Sequence, residues 1–276
     1  MTNYYNELAS HPDDARVVGW ESRLAQLVRF EAVRTLIQPN ETVLDLGAGL
    51  GDFARYLTQS RLGCHYSGIE ARQEFVARAL QKSPPVMLKC SDAFADTATE
   101  EADVVAVVGA LVDGRPLTDR TSRFTRLRQM IQASVRRARR LAVFVIARQD
   151  RLETHPTLAL DPALGGIELT EIPWILDPAA NYAVISDLLP NDYLLVVAAP
   201  PHPLPPIPTG AAIRATALAH PGARELPPDA RVRFHLAIGE AQMAAQLLEE
   251  VEASPTFSPD AAWHLLKARL ALSLDS

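Results

Sequence analysis

The residues best spaced for chemistry lie between positions 45 and 51, where Asp45 is followed by glycines at 47, 49 and 51. Glycine has no Cβ, so alternating glycines let the backbone turn tightly and let a ligand come close to the main chain. The run before them, Val43, Leu44 and Leu46, reads as a buried parallel strand, and the stretch from Asp52 reads as a helix with Phe53, Ala54 and Leu57 on one face. A strand, a glycine turn and a helix start together present free N–H groups. The chemistry this suits is capture of a nucleoside cofactor. A second acid, Glu70, ends the run His65 to Glu70, nineteen residues after Gly51. A carboxylate at a strand end can accept hydrogen bonds from both hydroxyls of a ribose. An acid there can also cap the helix predicted over 71–80, but the spacing from Gly51 favours the ribose reading.

The glycine spacing narrows the cofactor. Dinucleotide loops read G-x-G-x-x-G, with a pyrophosphate at the helix N-terminus. Here the third glycine, Gly51, comes one residue early and Asp52 follows it. A carboxylate at that helix start would repel a pyrophosphate and would suit a cationic or hydroxylated ligand.

Asp45, Gly47, Gly49 and Gly51 match without a gap the acidic residue and G-x-G-x-G of motif I in the class I S-adenosylmethionine-dependent methyltransferases, and the chain resembles that family. The resemblance implies an α/β fold: a Rossmann-like, seven-stranded methyltransferase sheet with helices on both faces. It implies S-adenosylmethionine as cofactor and S-adenosylhomocysteine as product. The cofactor-binding set it carries over is Asp45, Gly47, Ala48, Gly49, Gly51, Glu70, Ala71, Asp92, Ala93 and Gly109, joined by Arg29. Asp45 would lie near the methionine ammonium and Glu70 at the ribose. Asp92 would take the adenine amino group, with Ala93 or Phe94 packed on the ring. Tyr4-Tyr5-Asn6, Val18-Gly19-Trp20, Gln26 and Arg29-Phe30 resemble the lead-in of a group of bacterial methyltransferases of mostly unassigned substrate. That likeness would bring Arg29 or Tyr4 to the methionine carboxylate; the alternative is a covering helix with a solvated arginine.

These residues need a framework, and the chain is long enough to supply one. Its 276 residues, 48% hydrophobic, can bury a full α/β core and leave a small second unit. The net charge of −6 argues against general nucleic-acid affinity. The two cysteines, Cys64 and Cys90, have no spacing suited to a disulfide framework or a metal site, which fits a reducing, cytoplasmic setting. No apolar run approaches membrane-spanning length, and the N-terminus has no signal-peptide pattern. The apolar stripe Trp20, Leu24, Leu27, Val28 and Ile37 predicts a helix over 20–37. Further strands are predicted over 86–90, 103–108 and 141–147, with a hairpin of 182–188 and 193–199. A long helix is predicted over 119–140, with Arg120, Arg123, Arg126, Arg128, Arg136, Arg137, Arg139 and Arg140 on a solvated outer face.

The loop after the fourth strand, Gly109 to Pro116, should edge the acceptor pocket. It lacks the Asn-Pro-Pro-aromatic signature of amino-group methylases of DNA or protein glutamine, which sets those substrates aside. Asp113 in this loop and His155 further on are the positions from which a general base could act. Six prolines within residues 200–208 mark a stiff spacer. The expected organisation is a cofactor-binding methyltransferase domain over 1–199, a proline-rich linker over 200–209 and a helical, tetratricopeptide-like extension over 210–276. A single such repeat cannot bury its own apolar face, so it should dock on the catalytic domain or on another chain. The expected function is methyl transfer to a small-molecule acceptor. The alternatives are a cofactor-binding scaffold whose helical tail recruits partners, and a nicotinamide oxidoreductase.

Overall fold

A computed structural model gives the architecture and describes residues 22–82, 84–95, 99–110, 120–149, 166–253 and 261–274. The sequence expectations at Tyr4, Trp20, Asp113 and His155 lie outside the described residues.

The first helix, α1 (Arg23–Arg34), starts where the Ser22 hydroxyl accepts the Ala25 N–H at 3.2 Å. It is shorter at both ends than the apolar stripe suggested. β1 (Thr42–Leu46), α2 (Asp52–Gln59), β2 (His65–Glu70), α3 (Gln73–Gln81), β3 (Leu88–Cys90) and β4 (Ala102–Val108) follow. α4 (Arg120–Arg137) leads directly into β5 (Ala138–Ala147). The predicted helix over 119–140 therefore ends three residues early, because Ala138, Arg139 and Arg140 already belong to the strand. A short helix α5 (Ile172–Ile175) precedes the hairpin β6 (Asn181–Leu189) and β7 (Asp192–Ala198).

The strands form one seven-stranded sheet in the order β3-β2-β1-β4-β5-β7-β6. β1 to β5 run parallel, and β7 is antiparallel to both its neighbours. Strands in the middle of such a sheet are covered on both faces and read as nearly continuous apolar runs, as β4 and β7 do. One face packs Val43, Ala106 and Val143 against α1 and α2; the other packs Leu44, Val105 and Phe144 against Leu127 and Ile131 of α4 and Ile172 of α5. The amino end of β1 is pinned to β4, since Asp103 Oδ2 accepts both the Thr42 N–H at 2.9 Å and its hydroxyl at 2.7 Å.

The C-terminal part docks on this layer. Residues 200–209 carry neither helix nor strand, but Leu204 and Ile207 pack against the same cluster as α1. α6 (Gly210–Ala219) lies so close to β6 that a Cβ on Gly210 would sit 2.4 Å from the Asp187 carbonyl oxygen. Ile213 and Ala217 of α6, Ala223 of α7 (Pro221–Arg224) and Phe234 of α8 (Pro228–Ala237) share the cluster with α1. The opposite side of α8, through Val232 and Leu236, forms a separate small core with α9 (Ala241–Glu252) and α10 (Ala261–Leu274), centred on Leu247, Trp263 and Leu266. No helix among the described residues is long and apolar enough to cross a membrane.

Candidate functional site

The glycine turn leaves β1 at the carboxyl edge of the parallel strands, and Gly47, Gly49 and Gly51 all hold left-handed φ values, +81°, +55° and +71°. Those values are open to glycine and costly for other residues. Gly47 and Ala48 both donate to the Ile69 carbonyl, at 2.8 and 3.0 Å, which binds the turn to the end of β2. Glu70 completes the clamp: one carboxylate oxygen accepts the Gly49 N–H at 2.9 Å and the other accepts the Arg72 N–H at 2.9 Å. The Ala71 N–H also acts on this carboxylate; its two oxygens offer about four lone-pair sites, so three backbone donors leave room for one more, such as a ribose hydroxyl. Burial raises the Glu70 pKa, against the lowering effect of these backbone donors.

Asp45 is 2% exposed. Its Oδ2 accepts the Tyr66 hydroxyl at 2.7 Å. Burial pushes its carboxyl up to about 7, with the charge of Glu70 adding to the rise and the Tyr66 hydrogen bond opposing it. The phenol reaches Asp45 by lying over Gly68: a Cβ there would come within 2.8 Å of the Tyr66 oxygen and 2.7 Å of Leu88 Cδ2. Two residues along a strand share a face, so a glycine between Tyr66 and the sheet edge is what lets the ring through.

The adenine-side expectations fall on the loop after β3. Asp92 is exposed, and its Oδ1 accepts the Phe94 N–H at 2.9 Å, an Asx turn that shapes the loop. Ala93 is buried, and its carbonyl accepts Arg137 Nη1 at 2.7 Å. Arg137 Nε also donates to the Glu100 carbonyl at 2.8 Å. Arg137 is thus a buried brace under the loop and not part of a solvated arginine face, as the sequence had suggested. Arg140 likewise leaves that face to pair with Glu41 and to donate to the Leu36 carbonyl at 2.8 Å. Substituting Arg137 with methionine would strand two carbonyls. We expect a loss of about 2–4 kcal/mol, seen as a lower urea midpoint with an unchanged slope.

Several placements depart from simple expectation or extend it. Arg29 is buried, not solvated, and forms an ion pair with Asp192 at the start of β7, beside the end of β5. Asp52 does not offer an uncompensated charge to a ligand: Lys82 Nζ lies 2.8 Å, Arg55 Nη1 3.3 Å and Arg23 Nη1 3.9 Å from its carboxylate. Its repulsion of a pyrophosphate is accordingly weaker than the bare sequence implied. Arg23, a third exposed and held beside the start of α2, is a further cation near the glycine turn, six residues before Arg29 on α1. Gly109 follows β4 with φ +77°, and a Cβ on Gly47 would lie 2.1 Å from Ala110 Cβ, so the loops after β1 and β4 meet. Ala71 is exposed next to Glu70. No cluster of metal-ligating side chains occurs among the described residues.

The sheet order, the antiparallel seventh strand and the glycine turn at the carboxyl edge together define the Rossmann-like methyltransferase fold. No family model and no curated protein matches the chain. Among solved structures it is similar to the N-methyltransferase NodS from Bradyrhizobium japonicum WM9 in complex with S-adenosyl-L-homocysteine, with a TM-score of 0.50 and 19% identity over 72% of this chain and 100% of that one. It is also similar to a chain in the complex containing the Haloferax volcanii Trm112 methyltransferase activator, with a TM-score of 0.53 and 15% identity over 72% of this chain and 99% of that one. At these identities the likeness is one of fold.

Proposed function

We propose that the chain is an S-adenosylmethionine-dependent methyltransferase acting on a small-molecule acceptor. The observation that carries this reading is the Glu70 clamp: a buried carboxylate at the end of β2 holds the glycine turn through Gly49 and keeps acceptor capacity for a further donor at the cofactor edge of this fold. Within the reading, Asp45 meets the methionine ammonium. Glu70 takes the ribose, and Asp92 with Ala93 receives the adenine. Arg29 or Arg23 faces the methionine carboxylate. Gly47, Ala48, Gly49 and Gly51 supply the close backbone, with Ala71 and Gly109 at its margins.

When bound, the cofactor supplies an activated sulfonium methyl. The chain's own contribution is to align that group with the acceptor and to keep water out, the two means by which an in-line transfer is accelerated without a covalent intermediate. Gly109 and Ala110, where the chain leaves β4, would border the acceptor. The division into a catalytic unit over 1–199, a linker over 200–209 and a helical extension over 210–276 belongs to this reading, with the extension seated on α1 and β6. The unpaired Cys64 and Cys90 fit a reducing cytoplasm.

On this reading Glu70→Ala loosens the glycine turn and removes the ribose acceptor together. Losing one charge-assisted contact is worth about 1.5–3 kcal/mol, so S-adenosylhomocysteine should bind roughly ten- to a hundredfold more weakly by calorimetry. Equal affinity in the variant would remove Glu70 from the site.

A further inference from the structure

Among the described residues, the cofactor-turn helix α2 meets the C-terminal helices at a polar junction centred on the buried Tyr56. Tyr56 of α2 is 3% exposed, and its hydroxyl donates to Glu31 Oε2 of α1 at 2.7 Å. Arg34 grips the same carboxylate with Nε and Nη2, each at 2.6 Å. On the far side the ring of His220, at the corner between α6 and α7, stacks on Tyr56 with centroids 4.4 Å apart and planes 26° from parallel. His220 Nδ1 accepts the Gly222 N–H at 3.1 Å and so caps α7. An acceptor nitrogen carries no proton, so this geometry requires the neutral imidazole. Ala217 and Ala223, on either side of the corner, are each 1% exposed, so the corner is seated and not merely adjacent.

We propose that His220 is an acid-sensitive latch that holds the C-terminal helices against the helix of the cofactor turn. Protonation at Nδ1 removes the acceptor for Gly222 and places a cation on the ring stacked against Tyr56. The charged groups around it are Arg23, Arg34 and Glu31 of α1 and Glu225 after α7. Glu31, and more weakly Glu225, favour the imidazolium, while Arg23 and Arg34 oppose it. Burial is the largest cause that lowers the His220 pKa below its ordinary 6.5. The folded state therefore favours the neutral ring. Its stabilising contribution is complete above about 6.5 and is lost as the pH falls through that value toward the lower folded one. The C-terminal extension is then a pH-dependent cover for α1 and α2, a role separate from the identity of the methyl acceptor.

The test compares amide hydrogen exchange of residues 217–226 and of α2 at pH 7.5 and 5.5 in the full chain, corrected for intrinsic exchange rates. One pH unit of titration is a decade in population, so the unsubstituted protein should lose protection at the lower pH, by up to about tenfold. His220→Asn, whose side-chain oxygen can still accept the Gly222 N–H but takes no proton, should change less than twofold. An equal rise in both proteins, or none in the unsubstituted protein, would overturn the latch. The His220 ring resonances of the unsubstituted protein give an independent check: their titration must fall below the ordinary histidine value, at the pH where the loss of protection levels off. A midpoint at or above the ordinary value would overturn the proposal even if the variant did not fold.

Discussion

Replacing Asp45 with asparagine is expected to stabilise the protein at pH 8 and, in the same variant, to weaken cofactor binding. The carboxyl is buried, and its pKa rises from an ordinary 3.8 to about 7. A carboxyl whose folded pKa is raised favours the protonated form on folding. The cost of ionising it is absent below 3.8, grows as the pH rises from 3.8 to about 7, and stays constant above that. Raising a pKa by one costs the ionised form roughly 1.4 kcal/mol, so the full cost at pH 8 is of the order of 4 kcal/mol. Asparagine keeps an oxygen to accept the Tyr66 hydroxyl and never ionises. Asp45→Asn should therefore raise the denaturation midpoint at pH 8 and leave it nearly unchanged at pH 4. In the same variant the ligand's ammonium loses its counter-charge, and S-adenosylhomocysteine should bind at least about tenfold more weakly, the lower end of a charge-assisted contact. A variant less stable at pH 8, or one that binds as before, would mean that Asp45 is not a charge held in reserve for the ligand.

The second large effect is steric. Gly47→Ala places a Cβ 2.1 Å from Ala110 Cβ on a backbone with φ +81°. Gly239, with φ +80°, has nothing within 4 Å of the place a Cβ would take and so isolates the backbone part of the cost. Left-handed strain alone is worth about 1–2 kcal/mol, and overpacking adds about 1–3 kcal/mol. Gly239→Ala should thus lose only the strain component, whereas Gly47→Ala should lose roughly 2–5 kcal/mol and displace the loops after β1 and β4 together. Urea unfolding of the two variants side by side separates the two contributions. Equal losses would show that the contact between Gly47 and Ala110 relaxes at no cost.

The parts of this molecule that could be read from sequence are those governed by local pattern. The apolar runs at Val43 to Leu46 and Val104 to Val108 became central strands because burial on both faces removes alternation. The glycine turn was legible because only glycine holds three left-handed φ values so closely spaced. Contacts between distant residues were not. Arg140 looked like part of a solvated face because a helical period was carried past Ala138, where the chain had changed to a strand and side chains alternate every second residue; Arg137 does end the helix, and its partners, the Ala93 and Glu100 carbonyls, lie too far away in sequence for any local rule. The pairing of Arg29 with Asp192 spans most of the sheet in sequence, and no local rule points to it. Tyr66 was missed because its reach to Asp45 depends on the absence of a side chain at Gly68, which by sequence alone reads as a weakness in a strand. The stack of His220 on Tyr56 likewise joins a tail helix to α2 across more than half the chain.

The central claim, that the carboxyl edge of this sheet holds an adenosyl cofactor and uses it to donate a methyl group, is tested most directly by calorimetric titration of the full chain with S-adenosylmethionine and S-adenosylhomocysteine, with NADH as control. Micromolar binding of both adenosyl compounds at one site per chain, and no heat with NADH, is the expected result. Binding of NADH in their place, or of neither adenosyl compound, would contradict it and leave the fold serving another purpose.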